Sequence, residues 1–209
     1  MNLVYTTVAF LLRKLFPIFY RFRVYGHKKN LPGAALIAPN HASFLDPPVI
    51  AAAWPQEVHF LARASLFQGS FWGWFLKALN AHPIDGSAQD LASFRIICTL
   101  LREGKKIVLF PEGVRSEDGS LTGMKAGVAM LSLKTGCPII PVYIHGTFAA
   151  WPRHSRWPKL RKPISCIFGD PIFPPPLEGR TKKEAQLYLT GELEVAMKKL
   201  QETLERQYP

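Results

Sequence analysis

Short apolar runs closed by proline or glycine alternate with longer amphipathic segments along most of this chain. That alternation restricts the fold more than any other feature of the sequence. Ala34 to Ala38, Val58 to Ala62, Ile107 to Phe110, Ile139 to Ile144 and Ile164 to Phe168 read as strands, with Pro39 and Pro111 ending the first and third. Asn2 to Tyr20, Pro47 to Trp54, Leu66 to Leu79, Ala92 to Arg102, Lys125 to Lys134 and Thr181 to Arg206 read as helices. Gly104 and Gly136 lie just past two of them, where a C-terminal cap belongs. Strands alternating with helices predict an α/β fold: a single domain with a mixed β-sheet flanked by helices, plus an N-terminal membrane-associating helical segment. With 209 residues, 48% of them hydrophobic, the chain can bury one substantial core, whereas two independent halves would each be small. The expected organisation is an interfacial helical segment over 1–24, the α/β domain over 25–175, and a linker with an amphipathic helix over 176–209 packing on the same domain.

A net charge of +11 asks for an anionic partner, and its distribution says more than its size. No acidic residue precedes Asp46, and none lies between Asp118 and Asp170. Arg13, Lys14, Arg21, Arg23, Lys28 and Lys29 therefore stand unopposed among Phe, Tyr and Leu, and Arg153, Arg156, Lys159, Arg161 and Lys162 stand beside Trp151 and Trp157. Basic residues mixed with interfacial aromatics suit an anionic membrane surface, though a solvated basic rim has the same composition. No nucleic-acid partner is expected, because no zinc, helix-turn-helix or RNA-recognition signature is present.

Cys98, Cys137 and Cys166 are widely spaced in apolar surroundings, which suggests neither a disulfide framework nor a zinc site and fits a reducing compartment. Met1 to Leu12 is apolar but short, Arg13 and Lys14 interrupt it, and Pro17 follows. A spanning helix needs about 20 mostly apolar residues, so a segment lying on or dipping into one leaflet is the expectation. No positive charge precedes the apolar run and no small-residue cleavage site follows it, which argues against a secretory signal. Phe67, Phe71, Trp74 and Phe75 recur at helical spacing; such a stripe is expected in the core, with an acyl tunnel or a lipid-facing surface as the alternative, which Trp72 on another face favours.

Two polar clusters follow strand ends, where ligands of α/β sheets gather. In the first, His41 is the best placed of the six histidines to act as a general base, and Asp46 can fold back to orient its imidazole. Asp46 also precedes Pro47, so a helix cap is an alternative role. In the second, Glu112, Gly113 and Arg115 place a carboxylate, a flexible turn and a guanidinium together. Arg115 would grip phosphate oxygens, amides near Gly113 would face the anion, and Glu112 would accept a substrate hydroxyl's hydrogen bond, unless this is an ordinary solvated turn.

The order of these clusters resembles the glycerolipid acyltransferases, typified by the lysophosphatidic acid acyltransferases. Asn40, His41, Ser43 and Asp46 resemble that family's first motif, Phe110 to Ser116 its third with Val114 in place of Thr, and Pro138-Ile-Ile-Pro141-Val142 its fourth. The resemblance runs from about Tyr25 to Pro171. It implies that His41 and Asp46 are catalytic, that Glu112, Gly113 and Arg115 bind the acceptor's glycerol phosphate with Arg63 and Lys125 as secondary phosphate ligands, and that Asn40 and Ser43 are substrate-binding. The family's second motif usually ends in Arg, where Ile84-Asp85 is followed here by Gly86. Arg63, Arg95 or Arg115 would then replace that Arg, or the acceptor headgroup differs.

The resulting expectation is an enzyme that moves a fatty acyl chain from an acyl-carrier-protein or coenzyme A thioester, as co-substrate, to the free hydroxyl of lysophosphatidic acid. No metal or other cofactor is expected, and the location would be peripheral or monotopic on the cytoplasmic face of a membrane. The alternatives are another lysophospholipid or glycerol 3-phosphate as acceptor, or a non-catalytic protein that binds anionic lipid.

Overall fold

A computed structural model describes residues 2–26, 31–84 and 91–207. Helix α1 (Leu3–Tyr20) leads into β1 (Arg23–Gly26) and β2 (Ala35–Pro39); α2 (Asp46–Ala53) and β3 (Val58–Arg63) follow. A 3₁₀ turn (Ala64–Phe67), α3 (Ser70–Ala78), β4 (Ala81–Ile84), α4 (Leu91–Arg102), β5 (Lys106–Val108) and α5 (Gly127–Thr135) come next. The chain ends with β6 (Ile139–His145), the short α6 (Thr147–Ala150), β7 (Ser165–Phe168) and the long α7 (Lys182–Gln207).

The seven strands form one sheet in the order β1-β7-β6-β2-β5-β3-β4, mixed because β6 and β7 pair antiparallel while every other pairing is parallel. Every residue of β2 is buried, and the two-residue period of a strand sends alternate side chains to opposite faces. Ala35 and Ile37 join the core beneath α1 and α2, while Leu36 and Ala38 join the core beneath α4, α5 and α7. Burial on both faces is why the central strands read as continuous apolar runs rather than as alternating ones.

Helix α1 lies along the first face. Tyr5, Ala9, Phe16 and Tyr20 are buried, Asn2 caps its start, and the Arg13 guanidinium donates to the carbonyls of Ala52 and Trp54 at the end of α2. By length and composition alone this helix could cross a bilayer. Its opposite face leaves Leu3, Phe10, Leu11, Leu15, Ile18 and Phe19 exposed.

The aromatic stripe departs from the core expectation. Gly69, at φ +98°, breaks the single helix expected over Leu66 to Leu79 into the 3₁₀ turn and α3. Phe71, Trp72 and Trp74 are 64%, 62% and 57% exposed, because α3 packs mainly at the edge of the sheet, beside β4 and the 3₁₀ turn. The Asp85-Gly86 departure from the second motif, Lys28 and Lys29 lie outside the described residues.

Candidate active site

Strands β6, β2, β5 and β3 are adjacent and parallel, so the loops leaving their C-terminal ends emerge side by side. His41 and Asp46 hang from β2, Glu112 to Arg115 follow β5, and Arg63 ends β3. The sheet therefore assembles residues far apart in sequence along one edge.

The loop between β2 and α2 is wound around Asp46. One carboxylate oxygen, Oδ2, accepts from the Ala42 and Ser43 amides at 2.7 Å each and lies 2.8 Å from His41 Nδ1. The side chain thus folds back onto the loop; Leu45, at the N-cap position of α2, makes no side-chain capping bond either. Asp46 is wholly buried, while the His41 side chain keeps 19% of its surface exposed. With Nδ1–H donated to the carboxylate, Nε2 carries the lone pair, which is the tautomer a general base needs. The His41 ring stacks on Phe110 at 3.8 Å between centroids and 18° between planes, which fixes its remaining rotation.

Three neighbours brace the loop from within. The Asn40 side-chain amide donates to the Ile144 carbonyl at 3.0 Å, and its oxygen accepts the Ile144 amide at 2.7 Å, extending the β2–β6 ladder beyond its last pair, Pro39 with Val142. The Ser43 hydroxyl donates to the Trp151 carbonyl at 2.7 Å and accepts from the Leu45 amide. Glu112 is 2% exposed; one oxygen accepts the His41 amide at 2.8 Å and the other accepts both the amide and hydroxyl of Thr122. Asn40, Ser43 and Glu112, expected from the sequence to touch substrate, direct these polar atoms to partners inside the protein. Burial is the reason: a carboxylate or amide taken out of water must be satisfied where it lies.

The second cluster is joined to the first directly, since the Ser116 amide donates to the His41 carbonyl at 2.8 Å. Gly113, at φ +73°, has the Lys125 amine over it, 2.8 Å from where a Cβ would sit. The Arg115 guanidinium lies 3.8 Å above the Phe44 ring, and its Nη1 is buried without a hydrogen-bond partner. Burial pushes the Arg115 pKa down, and the positive charges of Arg153 and Arg63 push the same way, against the pull of Asp46. Arg63 is thus brought near Arg115, whereas Arg95 is exposed on α4. Phe110, Phe44 and Thr122, which touch these groups, had no role assigned from the sequence; Phe110 and Phe44 lie inside the two motifs, and Thr122 lies outside them. Among the described residues no three His, Cys, Asp or Glu side chains converge as metal ligands.

The edge thus carries an imidazole held by a carboxylate and, stacked on the exposed Phe44, a guanidinium whose Nη1 has no hydrogen-bond partner among the described residues. A family model described as acyltransferase matches residues 21–145. The 1-acyl-sn-glycerol-3-phosphate acyltransferase of Bacillus subtilis (strain 168) is 27% identical over 184 residues, covering 86% of this chain and 88% of that protein. The chloroplastic 1-acyl-sn-glycerol-3-phosphate acyltransferase LPAT1 of Arabidopsis thaliana is 29% identical over 159 residues, 74% of this chain; the chain spans only 44% of that relative's length. Among solved structures, the 1-acyl-sn-glycerophosphate acyltransferase PlsC from Thermotoga maritima shares the fold, with a TM-score of 0.74 at 24% identity over 95% of this chain and 78% of that one.

Proposed function

Because this chain belongs to the acyltransferase family, an enzyme family, we propose that it acylates the free hydroxyl of lysophosphatidic acid at an anionic membrane surface, using an acyl-carrier-protein or coenzyme A thioester. The observation that carries this reading is the imidazole held by Asp46 at 2.8 Å on the same strand edge as Arg115, whose Nη1 has no partner. His41 Nε2 takes the acceptor's hydroxyl proton as its oxygen attacks the thioester carbonyl. The C–S bond then breaks, the new ester remains, and the imidazolium returns its proton to the thiolate. No acyl-enzyme intermediate and no metal or cofactor enter this scheme. Arg115, with Arg63 and Lys125 nearby, holds the acceptor phosphate; Asn40, Ser43, Glu112 and Gly113 shape the loops that present His41. Exposed apolar residues on α1 and α3, with the basic residues beside them, rest on the lipid, and the enzyme is peripheral or monotopic on the cytoplasmic face.

The test is mass spectrometry of products after incubation with mixed lysophospholipids, glycerol 3-phosphate and both thioester types. Phosphatidic acid is the expected product, and its formation should fall about 10²–10⁴-fold in His41→Ala. A purified His41→Ala protein with near-normal turnover rejects the mechanism; binding to lipid without thioester consumption on any acceptor rejects the reaction.

A further inference from the structure

The geometry points to Arg153 as a third guanidinium for the anionic end of the acceptor, beside Arg115 and Arg63. This rests on the proposed acylation of a phosphate-bearing acceptor. It deepens that reading by adding a residue outside every motif.

Strand β6 lies next to β2, on the side away from β5. The chain that leaves β6 passes through α6 and is then stitched to the catalytic loop. Pro152 forms an isolated bridge with Ser43, the Ser43 hydroxyl donates to the Trp151 carbonyl at 2.7 Å, and the Trp151 and Phe44 rings lie 5.3 Å apart. Arg153 is the next residue, so its backbone is fixed against the loop that carries His41. Its side chain reaches across to the second cluster, where Nη1 lies 3.3 Å from Glu117, two residues beyond Arg115. Arg153 thus comes from the segment after β6 to the loop that carries Arg115.

Nothing permanent holds Arg153 in its present contact. The Glu117 side chain is 82% exposed and that of Arg153 38%, and ion pairs so well solvated contribute little. The positive charges are otherwise poorly balanced, since Asp46, the carboxylate acting on Arg115, is already engaged by His41 and two loop amides. Arg115 presents a buried Nη1 with no partner. A phosphate monoester, with about 1.5 to 2 negative charges at neutral pH, matches several converging guanidiniums better than a singly charged diester does.

The experiment compares wild type with Arg153→Gln, Arg153→Lys and Glu117→Gln. Steady-state kinetics use lysophosphatidic acid and lysophosphatidylglycerol as acceptors, and sn-glycerol 3-phosphate is titrated calorimetrically. Arg153→Gln should raise KM for lysophosphatidic acid about tenfold with kcat within about twofold, and weaken glycerol 3-phosphate binding to match. The diester acceptor should lose far less. Arg153→Lys should recover part of the affinity, and Glu117→Gln should leave KM unchanged or lower it. Equal KM values for Arg153→Gln and wild type, or equal losses on both acceptors, overturn the assignment, as does a fall in kcat alone. If wild type acylates neither lysolipid yet binds glycerol 3-phosphate through Arg153, the reaction fails and the anion site stands. Glycerol 3-phosphate binding that ignores Arg153→Gln removes the site, and a wild type that neither acylates nor binds removes both.

Discussion

At the scale of single residues, two carboxylates do different work and can be separated by substitution. Asp46→Asn keeps an oxygen for the Ala42 and Ser43 amides but cannot stabilise an imidazolium. Turnover should drop about 10²–10⁴-fold while the denaturation midpoint stays near wild type. Asp46→Ala strips both buried amides of their acceptor at about 1–3 kcal/mol each and should unfold at visibly lower denaturant. Wild-type turnover in Asp46→Asn would show that the carboxylate is only a loop brace. Glu112→Gln puts an amide donor against either the His41 amide or the Thr122 amide, both donors themselves. It should lose about 1–3 kcal/mol of stability in urea titrations together with activity, because His41 shifts with its backbone. The His41–Asp46 contact was legible because both ends lie in one short loop, where spacing settles what can touch. The Glu112–Thr122 contact was not legible: Thr122 lies ten residues on, in a segment without regular structure, and no periodicity links them.

At the scale of elements, the strands that the sequence revealed are mostly buried apolar runs, and the ones it hid lie at the two edges of the sheet. Strand β1 reads Arg-Val-Tyr-Gly with exposed ends, and it exists because β7, from the far end of the chain, pairs with it in parallel. Strand β4 carries Pro83, which lacks an amide donor and belongs at the sheet edge where it is found. Helix α3 shows the converse limit: the aromatic spacing was legible but not which way it faces, since a stripe against lipid and a stripe against core have the same period. If α3 rests on the bilayer, Trp72→Ser combined with Trp74→Ser should weaken binding to anionic vesicles about tenfold in a flotation assay. Leu187→Ser, on the exposed face of α7, should leave it unchanged. Equal binding by the double variant would remove α3 from the membrane contact.

At the scale of the whole molecule, the sheet keeps its two ends apart: the charged site occupies the C-terminal ends of the central strands, and a half-buried histidine pair sits toward the other end. His59 Nδ1 lies 3.0 Å from His82 Nε2, next to a cleft of about 490 Å³ that Tyr5, Arg13, Glu57, His59 and Lys105 help to line. Burial pushes the His59 pKa down to about 4, helped by His82 and Lys105 and opposed by Glu57. Burial also lowers His82, against Glu103. Both imidazoles are therefore neutral in the folded protein at a pH where the unfolded chain, with His near 6.5, already binds protons. Between about pH 6.5 and pH 4 the unfolded state holds more protons, so stability is complete above that window and declines as pH falls through it. The decline attributable to His59 is on the order of 2 kcal/mol. Urea midpoints measured from pH 7 to pH 4 should drop for wild type and drop measurably less for His59→Gln, which keeps a hydrogen-bonding group but does not titrate. Parallel curves for the two proteins would place the acid sensitivity elsewhere, in the repulsion of a chain whose net charge is already +11 at neutral pH.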